Sequence, residues 1–425
     1  MNSSKIRWKP TISYALFDAG NSALGAVHST FIFAVYFVTS VAPENGTAYW
    51  GYMTAASAIF VALSSPILGG VADSRAIRKY FLFLVTVVSA ISTILLWYVK
   101  PDSNFIFLAI IFSFFTIACS ELMFVFYNSL LPSVAPKNLI GRVSGWSWGV
   151  GYWGAIIALT VALFLFIQPE EAPFGLKKEN SEHIRATMVF IGIWLIFFSI
   201  PLFMFVKETA PASKINSSIK ILKQGWFEIS KIPGLKKFLI ARLFYTDGLT
   251  VVFAFAGIYA AKVFGFSNEL VLMFAIAVNF TCGIGAFVGG WIDDKVGSFL
   301  TIRISLFFLT FFGLGVLIAP SGFWFWVLGL VVGLFIGPVQ SASRSLISHK
   351  VPPEHRAQIF GFYMLSGKIT SFLGPTLYAS IVLWTNNERL GMVTAVIFFI
   401  IGFIVLGNRE PGESYTSSSL KHQRS

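Results

Sequence analysis

The sequence predicts an all-α membrane protein. It should have twelve transmembrane helices in two pseudo-symmetric six-helix bundles, with both termini on the cytoplasmic side. Three observations carry this. The chain of 425 residues is 56% hydrophobic and only 12% charged, about half the roughly 25% charge of soluble domains. Its apolar residues gather into segments near the ~20 residues needed to cross ~30 Å of hydrocarbon. Its second half also echoes its first. The segments are too long and too continuously apolar for the period-2 alternation of a β-barrel.

Taken in order, the opening MNSSKIRWKP is basic and lacks a small-residue cleavage site behind a short apolar core. It reads as a cytoplasmic tail leading into a retained first span, not as a signal peptide. Six apolar segments follow at 12–38, 48–72, 80–99, 104–131, 141–167 and 187–206. A second six lie at 240–262, 269–291, 300–319, 323–345, 357–383 and 391–407. Between them, lysines from Lys207 to Lys237 alternate with Ile219, Leu222, Trp226 and Phe227, the pattern of an amphipathic linker on an anionic inner surface. The expected division is a bundle at 1–206, a cytoplasmic linker at 207–239, a bundle at 240–407 and a cytoplasmic tail at 408–425.

The connections alternate in charge. One set, which includes both tails and the linker, holds 24 of the 31 lysines and arginines. The other carries Lys100, Lys177, Lys178, Arg185, Lys262 and Arg389, and Lys368 alone lies inside a span. That asymmetry places the termini in the cytoplasm. It also accounts for the net charge of +12 without a nucleic-acid partner. The two cysteines, Cys119 and Cys282, sit in spans, so neither a disulfide framework nor a metal spacing is present. No Gly-Lys-[Ser/Thr] phosphate loop occurs, and no cofactor is expected.

The two halves match at a slowly drifting offset. Ser129-Leu130, Pro136, Gly145 and Gly151 recur 216 residues on as Ser345-Leu346, Pro352, Gly361 and Gly367. Gly69 and Asp73 recur 221 on as Gly290 and Asp294, and Tyr36 recurs 223 on as Tyr259. Paired bundles around a central site are the architecture of alternating-access transporters.

The stretches GGVADSRAIRK (69–79) and GWIDDKVG (290–297) resemble the loop signature of the major facilitator superfamily. The first departs from it, with Ala76 and Ile77 where a glycine and a basic residue are usual. A carboxylate at the end of one helix can hold the N-terminus of a neighbour, so Asp73 and Asp294, with Arg142, form the expected conformational latch; an ordinary solvated turn is the alternative. FDAGNSALGAVHSTFIFAVYF (17–37), FVFYNSLLPSVAP (124–136), GRVSGWSWGVGYWG (141–154), DGLTVVFAFAGIYAA (247–261) and GPVQSASRSLISHKVPPEHRAQIFGFYMLSGKITSFLGP (337–375) resemble one branch of that superfamily. It is the "unknown major facilitator" family, related to the autophagy-linked vacuolar effluxers. The resemblance spans nearly the whole chain. It implies the twelve-helix fold and secondary transport, with amino-acid efflux for the fungal relatives and no settled substrate for the bacterial ones.

Ionisable residues inside spans are expensive and usually face a cavity or a partner. Asp18, Asn21, Ser22, Gly25 and Ser29 share one helical face, flanked by His28, and are expected to line a central cavity. Asp247 should occupy the equivalent depth in the seventh span, before Gly248 and Thr250. Either aspartate could carry a coupling proton; capping a helix end or pairing with Arg242 is the alternative. Glu121, with Asn128 two turns on, is a protonatable site or the structural partner of Lys368. Gly333, Gly337, Gln340, Ser341 and Arg344 share a face of the tenth span. Gln340 could bind a polar solute and Arg344 could clamp a carboxylate, unless Arg344 snorkels to the cytoplasmic surface. Asn279, Trp148 and Tyr152 are weaker candidates, as readily packing as site. The expected function is secondary transport of a small polar solute, with protons as the natural coupling ion. A non-transporting sensor of the same fold is the alternative. A lipid-modifying enzyme would need a His/Asp or Ser/His cluster that His349 and His355 do not supply. A monomer in a bacterial cytoplasmic membrane is expected.

Overall fold

Apolar length sets the elements of the computed structural model, which describes residues 6–169, 171, 173–208, 218–408 and 410–411. Residues 209–217 of the expected linker and 412–425 of the expected tail lie outside the described residues. The first six spans are α1 (Trp8–Val41), α2 (Gly46–Arg75), α3 (Arg78–Tyr98), α4 (Ser103–Val134), α5 (Lys137–Ile167) and α6 (Glu182–Phe205). A short helix, α7 (Ser218–Lys231), lies within the linker. Then come α8 (Leu235–Phe264), α9 (Asn268–Val296), α10 (Ser298–Leu317) and α11 (Gly322–Lys350). The chain ends with α12 (Arg356–Lys368), α13 (Leu373–Thr385) and α14 (Glu388–Leu406).

Eleven helices among the described residues are long and apolar enough to cross a membrane. The eleventh of the twelve expected spans, 357–383, is instead two short helices, α12 and α13, joined at Ile369–Phe372. Pro375 is the reason. It has no N–H to give the carbonyl four residues back, and its ring crowds that carbonyl. It is tolerated in the first turn of α13, where an N–H would lack an intrahelical partner anyway. The break is closed by tighter bonds: Ser371 N donates to Lys368 O at 3.3 Å and Leu373 N to Thr370 O at 2.7 Å.

Within the first bundle α1 packs on α5 and α6, and α3 packs on α4 and α6. Within the second, α9 packs on α11 and α8 on α14. The bundles meet along two seams, α5 against α9 and α2 against α12. Both seams are built on glycines that the internal repeat picks out. A Cβ on Gly145 would lie 2.2 Å from the Ala286 carbonyl oxygen, and one on Gly361 would lie 2.4 Å from that of Ser65. On the facing helices, a Cβ on Gly290 would sit 2.8 Å from the Gly141 oxygen and one on Gly69 2.3 Å from the Ala357 oxygen. Absent side chains let the backbones touch. The repeat thus corresponds to two equivalent seams related by the pseudo-symmetry. Both lie toward the ends of the spans that carry the basic loops, so the molecule is shut on that face.

Candidate functional site

Arg344 sits at the centre of the closed region. It belongs to the second bundle, yet its guanidinium is buried among α1, α4 and α5 of the first. Its Nε donates to Ser144 Oγ at 2.9 Å, and Nη2 donates to Ser144 O at 2.6 Å and Ser147 Oγ at 2.7 Å. Nη1 reaches Asp18 Oδ2 and Asn128 Oδ1, each at 3.3 Å. Five contacts match the five N–H donors of a guanidinium. The rings of Tyr14, Tyr127 and Trp148 surround it at 5.6–5.8 Å. Tyr127 Oη also donates to Asp18 Oδ2 at 3.3 Å. Asp18 is 0% and Arg344 1% exposed. A charge pair removed from water this completely is tolerable only when every donor is met.

Above this network, away from the seams, the bundles part around a cavity of 720 Å³, well within the range of small-molecule sites. Its charged lining comes from Glu121, Arg242, Arg344 and Lys368. Lys368 Nζ donates to Glu121 Oε1 at 2.8 Å across the two bundles, with both side chains more than a quarter exposed. Gln340 and Asn128 add polar atoms to the wall; the Gln340 amide oxygen accepts from Tyr152 Oη.

On the closed face, each motif carboxylate caps a helix of the other bundle. Asp73 accepts from Ala357 N at 3.2 Å and Gln358 N at 2.9 Å, the free N–H groups of the first turn of α12. Its buried partner Arg78 reaches on to Pro353 O at 2.8 Å. Asp294 accepts from Arg142 N at 3.1 Å near the start of α5, and the Arg142 side chain lies 3.3 Å from its other oxygen. A carboxylate at a helix N-terminus meets both free donors and the positive end of the dipole.

Some expected site residues stand elsewhere. The α1 stripe does not line the cavity, whose first-bundle wall comes from α2, α4 and α5. Asn21 ties α1 to α4 inside the bundle, donating to Ser120 O at 3.2 Å, and His28 bonds Ser113 Oγ at 3.1 Å. Asn279 donates to Ala275 O on its own helix at 2.8 Å and does not reach the cavity wall. Asp247 is fully buried behind the wall, while Thr246 and Thr250 line it; it forms no ion pair with Arg242. Nor does Arg344 snorkel, since it is drawn inward from the helix end. Sequence reading passed over Asp293, buried against Ser298 and Ser345, and the Arg78 arm of the first latch, and it named Arg242 only as a partner for a span aspartate. For Arg242 a signal existed: it is a cation followed by a long polar-dotted helix, not by a loop.

Two six-span bundles, joined along two seams on one face and parted on the other by a cavity with charged groups on its wall, make the architecture of a major facilitator transporter. The chain belongs to the family described as "Vacuole effluxer Atg22 like", which it matches over residues 33–409. It is 27% identical over 407 residues to the uncharacterized MFS-type transporter YxiO of Bacillus subtilis, a match covering 93% of each chain. It is 23% identical over 291 residues to autophagy-related protein 22 of Cryptococcus neoformans, covering 63% of this chain and 52% of that protein. The crystal structure of FucP, a major facilitator transporter in the outward conformation, superposes with a TM-score of 0.73 at 13% identity, covering 94% of this chain and 98% of that one. That likeness speaks for the fold alone.

Proposed function

We propose that this chain is a proton-coupled secondary transporter of a small polar solute of amino-acid type. It works as a monomer by rocking its bundles about the central cavity, with the basic, closed face in the cytoplasm of a bacterial cell. The observation that carries the reading is the inter-bundle placement of two charge pairs. Asp18–Arg344 joins the bundles in the dry, closed region, and Glu121–Lys368 joins them across the wet cavity. The Asp18–Arg344 pair must part when the closed face opens, while the Glu121–Lys368 pair stands on the side that then closes. A proton on Asp18 would neutralise it and free Arg344, so protonation and opening favour each other, which is what coupling requires. A solute carrying both signs of charge can replace the Glu121–Lys368 contact with its own. The latches at Asp73 and Asp294, with Arg142, then serve as the catches of the closed state. Positive loops on that face support the cytoplasmic assignment.

Reconstituted into liposomes, wild type is expected to accumulate radiolabelled amino acids when a pH gradient is imposed. Asp18→Asn is expected to exchange label at equilibrium but not to accumulate it. Glu121→Gln should lose both by tenfold or more. Accumulation by Asp18→Asn equal to wild type would remove Asp18 from the coupling step, and no flux of any solute in wild type would leave the sensor reading standing.

A further inference from the structure

Three cations line the cavity, and two are already answered. Arg344 has all five donors engaged and Asp18 beside it. Lys368 holds Glu121. Arg242, on α8, is different. It is 9% exposed, and no carboxylate forms an ion pair with it among the described residues. Its Nη1 donates to Tyr363 O at 2.6 Å and to Ser366 Oγ at 3.1 Å. The guanidinium lies over the Tyr363 ring with Cζ 3.5 Å from the centroid. Gly367 makes room for it: a Cβ there would come 2.5 Å from Nη1. One face and one end of the plane are therefore fixed by α12. The other edge, Nε with Nη2, has no hydrogen-bond partner among the described residues, and the side chain lines the cavity.

That free edge is one of the two-donor edges by which a guanidinium grips a carboxylate bidentately. A buried cation held rigid by its own bundle, yet left without a counter-charge, is costly unless something anionic visits it. We propose that Arg242 is the anchor for the solute's carboxylate, so that the transported substrates are small carboxylates. Gly367 and Lys368 are consecutive on α12, so the anchored solute lies beside the Glu121–Lys368 pair, within reach of the groups that its remaining charge can displace. This inference rests on the transporter reading and narrows its substrate. A neutral polyol or sugar offers hydroxyl acceptors to the free edge but no counter-charge.

The test is binding to purified wild type and Arg242→Lys in detergent, by thermal shift and isothermal titration. The probes are the protein amino acids, small mono- and dicarboxylates, their matched amides and a set of neutral sugars, each up to tens of millimolar. A ligand binding only the folded state raises the melting temperature by mass action. The expected result is hits confined to carboxylates, with each matched amide at least tenfold weaker. Arg242→Lys, which keeps the charge and loses the fork, should also bind at least tenfold more weakly. Its unliganded melting temperature should stay near wild type, and Arg242→Gln serves if it does not. Sugar hits, amides as tight as their acids, undiminished binding by Arg242→Lys, or no carboxylate hit at all would each overturn the assignment. Flux of a neutral solute in liposomes would overturn it while leaving the transporter reading intact.

Discussion

Arg344→Ala is expected to abolish net transport and to shift the protein from the closed face toward the open one. The guanidinium meets Asp18, Asn128, Ser144 and Ser147 of the first bundle at once. Removing it leaves the Asp18 carboxylate fully buried and without a counter-charge, held only by hydroxyls such as that of Tyr127. Breaking one side of such a pair costs about 3–5 kcal/mol. Most of that is charged to the closed state, because opening the face lets water reach Asp18. Moving an equilibrium from 1:99 to 99:1 takes about 5.5 kcal/mol, so most of the population should invert. Spin-label distances across the closed face would report the change. Adding Asp18→Asn to Arg344→Ala removes the stranded charge, so the double variant should return toward the closed distribution and still not accumulate solute. If the single variant keeps the wild-type distance distribution, the pair does not hold the bundles together.

Span positions were legible because some twenty apolar residues in a row have few other uses. The broken eleventh span was not, because the apolar residues on both sides of Thr370 and Ser371 outweighed the proline at 375. Periodicity showed that Asp18, Asn21 and Ser22 share a face but not what that face meets, and it meets α4 and α5. Depth was the other failure. Arg242 and Arg344 stand at the ends of their apolar runs, which reads as surface. Yet α8 and α11 are 30 and 29 residues long, well beyond the ~20 a bilayer needs. At 1.5 Å per residue, the six residues from Arg344 to Lys350 place its Cα about 9 Å inside the helix end. The Glu121–Lys368 pairing was one of two readings the sequence left open, since each was visible as an ionisable residue in a span.

The seams give the second large effect. Gly145→Val and Gly361→Val should each trap the protein with its basic face open and reduce transport to a few percent or less. At both sites the obstacle is a backbone carbonyl, that of Ala286 or of Ser65, so no side chain can swing away to relieve the clash. A Cβ at 2.2–2.4 Å from an oxygen sits far inside van der Waals contact, and two packed helices can restore it only by separating. Overpacking of this kind costs typically 1–3 kcal/mol even where side chains can adjust; here the relief is a rigid-body movement that the fold already makes. Each bundle packs internally through other contacts, so folding should survive while closure fails. Gly315→Ala is the control, since its Cβ would meet only the Leu328 side chain at 3.4 Å or more; it should transport like wild type. Labelling of single cysteines placed along the closed face by a water-soluble maleimide would read the difference. The rate should rise at least tenfold in both valine variants and not in the alanine one. Unchanged labelling in Gly145→Val and Gly361→Val would mean that the seams open and close by sliding rather than by separating, and the rocking of two rigid bundles would have to be given up.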